Sequence, residues 1–128
     1  MQACAASSSP ERHAFLFGHS FVSRLSREAR KRRRTTLDFV SLSGFCKLSS
    51  DGYPGLTYMY NKVFENPAFY LRNLKREPID ILIIDMGTND LCDLTITPSV
   101  LVSKVLQFLD LLRDQGVKFQ LVVIFTII

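Results

Sequence analysis

Residues Ile79 to Asp90 read IDILIIDMGTND. Ile79, Ile81, Leu82, Ile83, Ile84 and Met86 form a run too dense for the alternation of a half-buried strand, and Gly87 ends it. A short run of this kind, rich in isoleucine, reads as a strand buried on both faces, inside a parallel sheet covered by helices. Gly87, Thr88, Asn89 and Asp90 follow at its carboxyl end, where open α/β sheets bind their ligands.

Beyond this stretch, Thr97 and Pro98 make a helix opening, threonine as N-cap and proline at the first position. Leu101, Val105, Phe108, Leu109 and Leu112 give that helix an apolar stripe, and Gly116 ends it. Phe119 to Ile128 then reads as another buried strand, interior to a sheet. Before the central stretch, Leu56 to Phe64 and Pro67 to Leu74 read as helical, and Ser49 to Gly55 as a polar loop dense in turn residues. Leu37 to Leu42 reads as a second strand. Ala14 to Phe17 is a first one, running into Gly18, His19 and Ser20. Phe21, Val22, Leu25 and Ala29 then follow at helical spacing, with Ser20 as the expected N-cap. Residues 1–12 are a small, polar lead expected to be disordered, and residues 13–128 form one domain. The order β-α-β-α-β-α-β requires a parallel sheet with right-handed crossovers.

Composition narrows the class. The chain has 128 residues, 47% apolar and 22% charged, enough for one domain with a real core. The net charge of +4 is concentrated: seven of the 16 Lys and Arg lie between Arg24 and Arg34. Arg30, Lys31, Arg32, Arg33 and Arg34 read either as a solvated helix end or as a nuclear-localisation or nucleic-acid patch. Three cysteines at irregular spacing give neither a disulfide framework nor a zinc pattern, and they favour a reducing, intracellular compartment. Cys92 reads as a small buried hydrophobe. No signal peptide is visible, and no apolar run approaches the ~20 residues a membrane helix needs. No cofactor or metal pattern is present, and the oligomeric state is not encoded in any motif.

Three polar clusters fall at expected strand ends: Gly18-His19-Ser20, Gly55-Leu56-Thr57 and Gly87-Thr88-Asn89-Asp90. The topology brings such ends to one edge. A serine opening a helix lies beside the positive end of the helix dipole, and an asparagine amide is a neutral donor suited to an oxyanion. The bland alternatives are an N-cap at Ser20 and a turn at Asn89-Asp90.

These residues resemble a known family. FLFGHS before a helix is similar to the first block of SGNH (GDSL-type) hydrolases, usually Gly-Asp-Ser. YPGLT resembles the second block, and MGTND matches the third, Gly-x-Asn-Asp. The resemblance, which covers about Phe15 to the end, implies a flavodoxin-like open parallel sheet with helices on both faces, and an esterase acting on a small ester or acetylated substrate. It implies Ser20 as nucleophile, and the N–H groups of Ser20 and Gly55 with the Asn89 amide as oxyanion hole. Gly18, His19, Gly87, Thr88 and Asp90 would be supporting residues, Asp90 bracing the loop. Two departures stand out. His19 replaces the family's aspartate, and the family's Asp-x-x-His block is missing from a chain that therefore reads as C-terminally truncated, an incomplete or inactive copy. The alternative is a non-catalytic SGNH-like module, of a kind that occurs in some retroelement proteins, contacting nucleic acid through its basic run.

Overall fold

The computed structural model describes residues 12–31, 47–59 and 62–125. Among these the order is β1 (His13–Gly18), α1 (Ser20–Lys31), β2 (Lys47–Gly52), α2 (Lys62–Glu65), α3 (Pro67–Tyr70), β3 (Ile79–Asp85), α4 (Thr88–Leu91), α5 (Pro98–Asp114) and β4 (Phe119–Phe125). The four strands form one sheet, β2-β1-β3-β4, and every pairing is parallel. The expected α/β architecture with an open parallel sheet is therefore present.

The register shows how the faces are filled. Phe15 and Phe17 of β1 lie beside Leu82 and Ile84 of β3. These side chains join Phe108 and Leu112 of α5 in one buried core, and the Phe17 and Phe108 rings stack at 6.1 Å. Residues of opposite parity point to the other face, where α1 lies against β1 and β2. A Cβ on Gly18 would collide with the Asp85 carbonyl, and one on Gly52 with the Ser23 amide nitrogen, so only glycine permits this close packing. Helix α1 reaches no further across its face. Ile81 of β3 and Leu121, Val123 and Phe125 of β4 share it by register and are 37%, 55%, 44% and 37% exposed.

Several expectations need correction. The second strand among the described residues is Lys47–Gly52, and it runs into a segment read as loop from Ser49 onward. The strand expected over Leu37 to Leu42 lies outside the described residues. KLSSDG has no apolar alternation, and among the described residues β2 stands at the edge of the sheet: its backbone pairs with β1 from His13↔Lys47 to Gly18↔Gly52, and none of its side chains is fully buried. The helix expected from Leu56 is limited to Lys62–Glu65, since the N–H groups of Tyr58 and Met59 are taken by the Asp90 carboxylate rather than by a helical turn. From Pro67 only one helical turn forms before the chain passes into turns. Strand β4 is described to Phe125, lies last in the order of the described strands, and is exposed at five of its seven positions. By contrast, Thr97 caps α5 as read, its Oγ1 accepting from the Val100 N–H at 3.3 Å, and Phe108 and Leu112 of the expected stripe are fully buried. Among the described residues no helix is long and apolar enough to cross a membrane.

Candidate active site

The three polar clusters meet at the carboxyl edge of the sheet. Gly18 pairs with Asp85 in the parallel register. Past the strand ends the backbone continues the tie: the His19 N–H donates to the Asp85 carbonyl at 3.2 Å, and the Tyr53 N–H donates to the Gly18 carbonyl at 2.9 Å. The Asn89 amide donates to the Leu56 carbonyl at 3.4 Å, joining the third cluster to the second. Asp90 is buried, and its carboxylate accepts from the Tyr58 N–H at 2.9 and 3.1 Å and from the Met59 N–H at 2.9 Å. That carboxylate holds the loop that follows Gly55 against the start of α4. Gly55 itself has φ +78°, a left-handed conformation that disfavours any residue with a Cβ.

Ser20 is the first residue of α1 and is half-buried. The capping position falls one residue earlier than expected. The His19 carbonyl accepts the Ser23 N–H at 3.3 Å, and the His19 ring nitrogen Nδ1 accepts the Phe21 N–H at 3.3 Å. A backbone N–H can only donate, so Nδ1 is unprotonated and the neutral ring carries its proton on Nε2. Nε2 lies 3.4 Å from Asp85 Oδ1, in poor alignment for a hydrogen bond. Nδ1 of His19 is thus taken by the backbone, and Nε2 lies beside Asp85 without a hydrogen bond.

Asp85 is fully buried, and burial holds its carboxyl above the ordinary carboxylate range, opposed by the neighbouring His19. The Tyr58 hydroxyl is buried without a hydrogen-bond partner among the described residues, and burial, reinforced by Asp90 and Asp85, raises its pKa. Sequence reading passed over both groups. For Asp85 a signal existed: a carboxylate at the end of an otherwise apolar run. Cys92 is exposed rather than buried, its thiol 3.5 Å from the Thr88 carbonyl, because α4 turns that residue outward from the sheet edge. Of the basic run, Arg30 and Lys31 are exposed in the last turn of α1, and Arg32, Arg33 and Arg34 lie outside the described residues. Among the described residues no group of three His, Cys, Asp or Glu side chains is placed to hold a metal ion.

At the opposite end of β1 sits the other histidine. His13 is buried, its N–H donating to Asp80 Oδ2 at 2.7 Å. Its Nδ1 lies 3.1 Å from the Pro78 carbonyl and its Nε2 2.9 Å from Ser49 Oγ. The sequence offered no route to this pairing while Ser49 was read as loop.

No family model and no curated protein matches this sequence. One crystal structure superposes with a TM-score of 0.61 at 16% identity, over 90% of this chain and 62% of its own. The chain thus spans about three fifths of that neighbour's length, and at such identity the likeness is one of fold: a parallel α/β sheet.

Proposed function

We propose that the carboxyl edge is the acyl site of an SGNH-type serine esterase domain, with Ser20 as nucleophile. The carbonyl oxygen of a small ester would lie among the N–H groups of Ser20 and Gly55 and the Asn89 amide. The observation that supports this reading most is the convergence of three sequence clusters, tied by the His19–Asp85, Tyr53–Gly18 and Asn89–Leu56 hydrogen bonds. Preorganised neutral donors of this type stabilise charge that develops on an oxyanion.

Neither histidine is presented to Ser20, and a serine without a positioned base is a weak nucleophile. The reading is therefore of an acyl-accepting site with feeble turnover. A fluorophosphonate probe followed by peptide mapping tests it. The expected result is an adduct on Ser20 that is lost in Ser20→Ala, with nitrophenyl acetate hydrolysis well below ~1 s⁻¹. An unmodified Ser20 would overturn the reading.

The engagement of His19 by Asp85 and the Phe21 N–H also favours a second reading, a non-catalytic module of the same ancestry. Exposed Arg30 and Lys31 would then contact nucleic acid. Binding of an RNA or DNA oligonucleotide that weakens steeply with added salt would favour it, and salt-independent or undetectable binding would remove it.

A further inference from the structure

We infer that Ser49 and His13 form a second nucleophile–base pair, at the amino end of the sheet. The Pro78 carbonyl can only accept, so His13 Nδ1, 3.1 Å away, carries the proton. In the neutral ring Nε2 is then a bare acceptor, and 2.9 Å from it lies a group with a proton to give, the Ser49 hydroxyl. This is the arrangement an activated serine requires: hydroxyl on Nε2, with the far nitrogen held by a fixed acceptor. The ring is placed by the fold. His13 opens β1, its own N–H is held by Asp80, and its edge meets Phe15 at 6.2 Å. Ser49 reaches it from the neighbouring strand, where Lys47 pairs with His13 and Ser49 with Phe15.

The pair opens on a cavity of about 320 Å³, lined also by Lys47, Asp51, Asn73, Arg76 and Glu77. Glu77 Oε1 is 3.8 Å from His13 Nε2 and accepts from Lys47 Nζ at 2.5 Å. An imidazolium formed at His13 would face that carboxylate. The lining has two cations against two carboxylates, and the Asn73 amide is taken up by Asp51 Oδ2 at 2.8 Å. A compensated lining and a volume at the small end of ligand sites suit a small ester without large net charge. Lys47 and Arg76 of the lining are cationic donors that its carbonyl oxygen could meet.

The step balances without a co-reactant other than water. Ser49 Oγ bonds to the acyl carbon as its proton passes to His13 Nε2. The ester C–O bond breaks and the leaving alkoxide takes that proton. Water, deprotonated by the same nitrogen, then releases the acid and restores Ser49. With a fluorophosphonate the Oγ–P bond forms, the P–F bond breaks and fluoride leaves.

The test is to treat the full chain with a fluorophosphonate, digest it, and read the Ser49 and Ser20 peptides separately. The expected result is an adduct on Ser49 that accumulates faster than any on Ser20. In His13→Gln, shown by circular dichroism to be folded, the Ser49 rate should fall by about 100-fold or more. Glu77→Gln, at a solvent-exposed position and likewise shown by circular dichroism to be folded, should slow it about threefold. An unmodified Ser49 in the native chain overturns the inference. A Ser49 adduct whose rate is unchanged in both variants overturns the role given to His13. Because the two peptides are read independently, an adduct on Ser20 alone refutes this inference and upholds the function proposed above. An adduct on Ser49 alone does the reverse.

Discussion

The chain's two histidines stand at opposite ends of β1, both buried, and they face opposite demands. His13 meets a carbonyl on Nδ1 and a hydroxyl on Nε2, so its neutral tautomer leaves the basic nitrogen facing a serine. His19 meets an N–H on Nδ1 and a carboxylate near Nε2, so its basic nitrogen is spent on the backbone. A partner that can only accept and one that can only donate dictate opposite tautomers. A histidine beside a serine in sequence is thus no guide to which histidine can serve a serine. Here the adjacent residue is unsuited, and the one reached across strands is suited.

The sharpest way to probe the carboxyl end is Asn89. If its amide faces an oxyanion, Asn89→Ala should slow modification of Ser20 by ~10²–10³, leaving the Ser49 rate at the other end unaltered. Equal rates in variant and native chain would reduce Asn89 to a turn residue that holds Leu56.

Asp90 comes next. Its replacement by alanine strands the N–H groups of Tyr58 and Met59, and one of these is fully buried. The expected cost is about 3 kcal/mol, the range for breaking buried hydrogen bonds to a charged group. Urea denaturation measures it. A loss under ~1 kcal/mol would mean that the loop after Gly55 is held by something else.

Asp85, beside His19, gives the carboxyl end of the sheet a pH response of its own. Its folded-state pKa is raised, chiefly by burial, so between its ordinary value of 3.8 and that higher value the folded chain holds more protons than the unfolded one. Stability from this group is complete below the ordinary value and is lost as pH rises through the raised one. Asp85→Asn should remove that loss and stabilise the chain by about 1 kcal/mol at neutral pH, the scale of one unsatisfied buried acceptor. Thermal melts of both chains from pH 3 to 8 decide the matter; parallel curves would show that Asp85 does not titrate in this window.

The smallest effect on stability is expected on the exposed face of β4. Val123→Lys, at an exposed position, should change stability by no more than ~0.5 kcal/mol. The same change should reduce self-association in sedimentation velocity, since an apolar edge strand is a template for pairing and a lysine blunts it. An identical sedimentation profile would place any association elsewhere.

Local chemistry was sufficient for much of the fold. The apolar density of Ile79 to Met86 marked β3, Thr97-Pro98 marked the start of α5, and the passage from AFLF through glycine into an amphipathic pattern marked β1 and α1. Each of these rests on periodicity or a cap, which neighbouring residues specify among themselves. The meeting of the glycine-serine, glycine-loop and Gly-x-Asn-Asp clusters at one edge was also readable, because parallel topology alone brings strand ends together. Tertiary structure decided the rest. KLSSDG is a strand only because β1 offers it a backbone to pair with. Residues 56–59 are not helical because a carboxylate 31 to 34 residues away takes two of their N–H groups. Cys92 and β4 are exposed because no described element packs over them, which composition does not encode. The tautomers of His13 and His19 depend on single atoms, a carbonyl of Pro78 and an N–H of Phe21, whose positions exist only once the chain has folded.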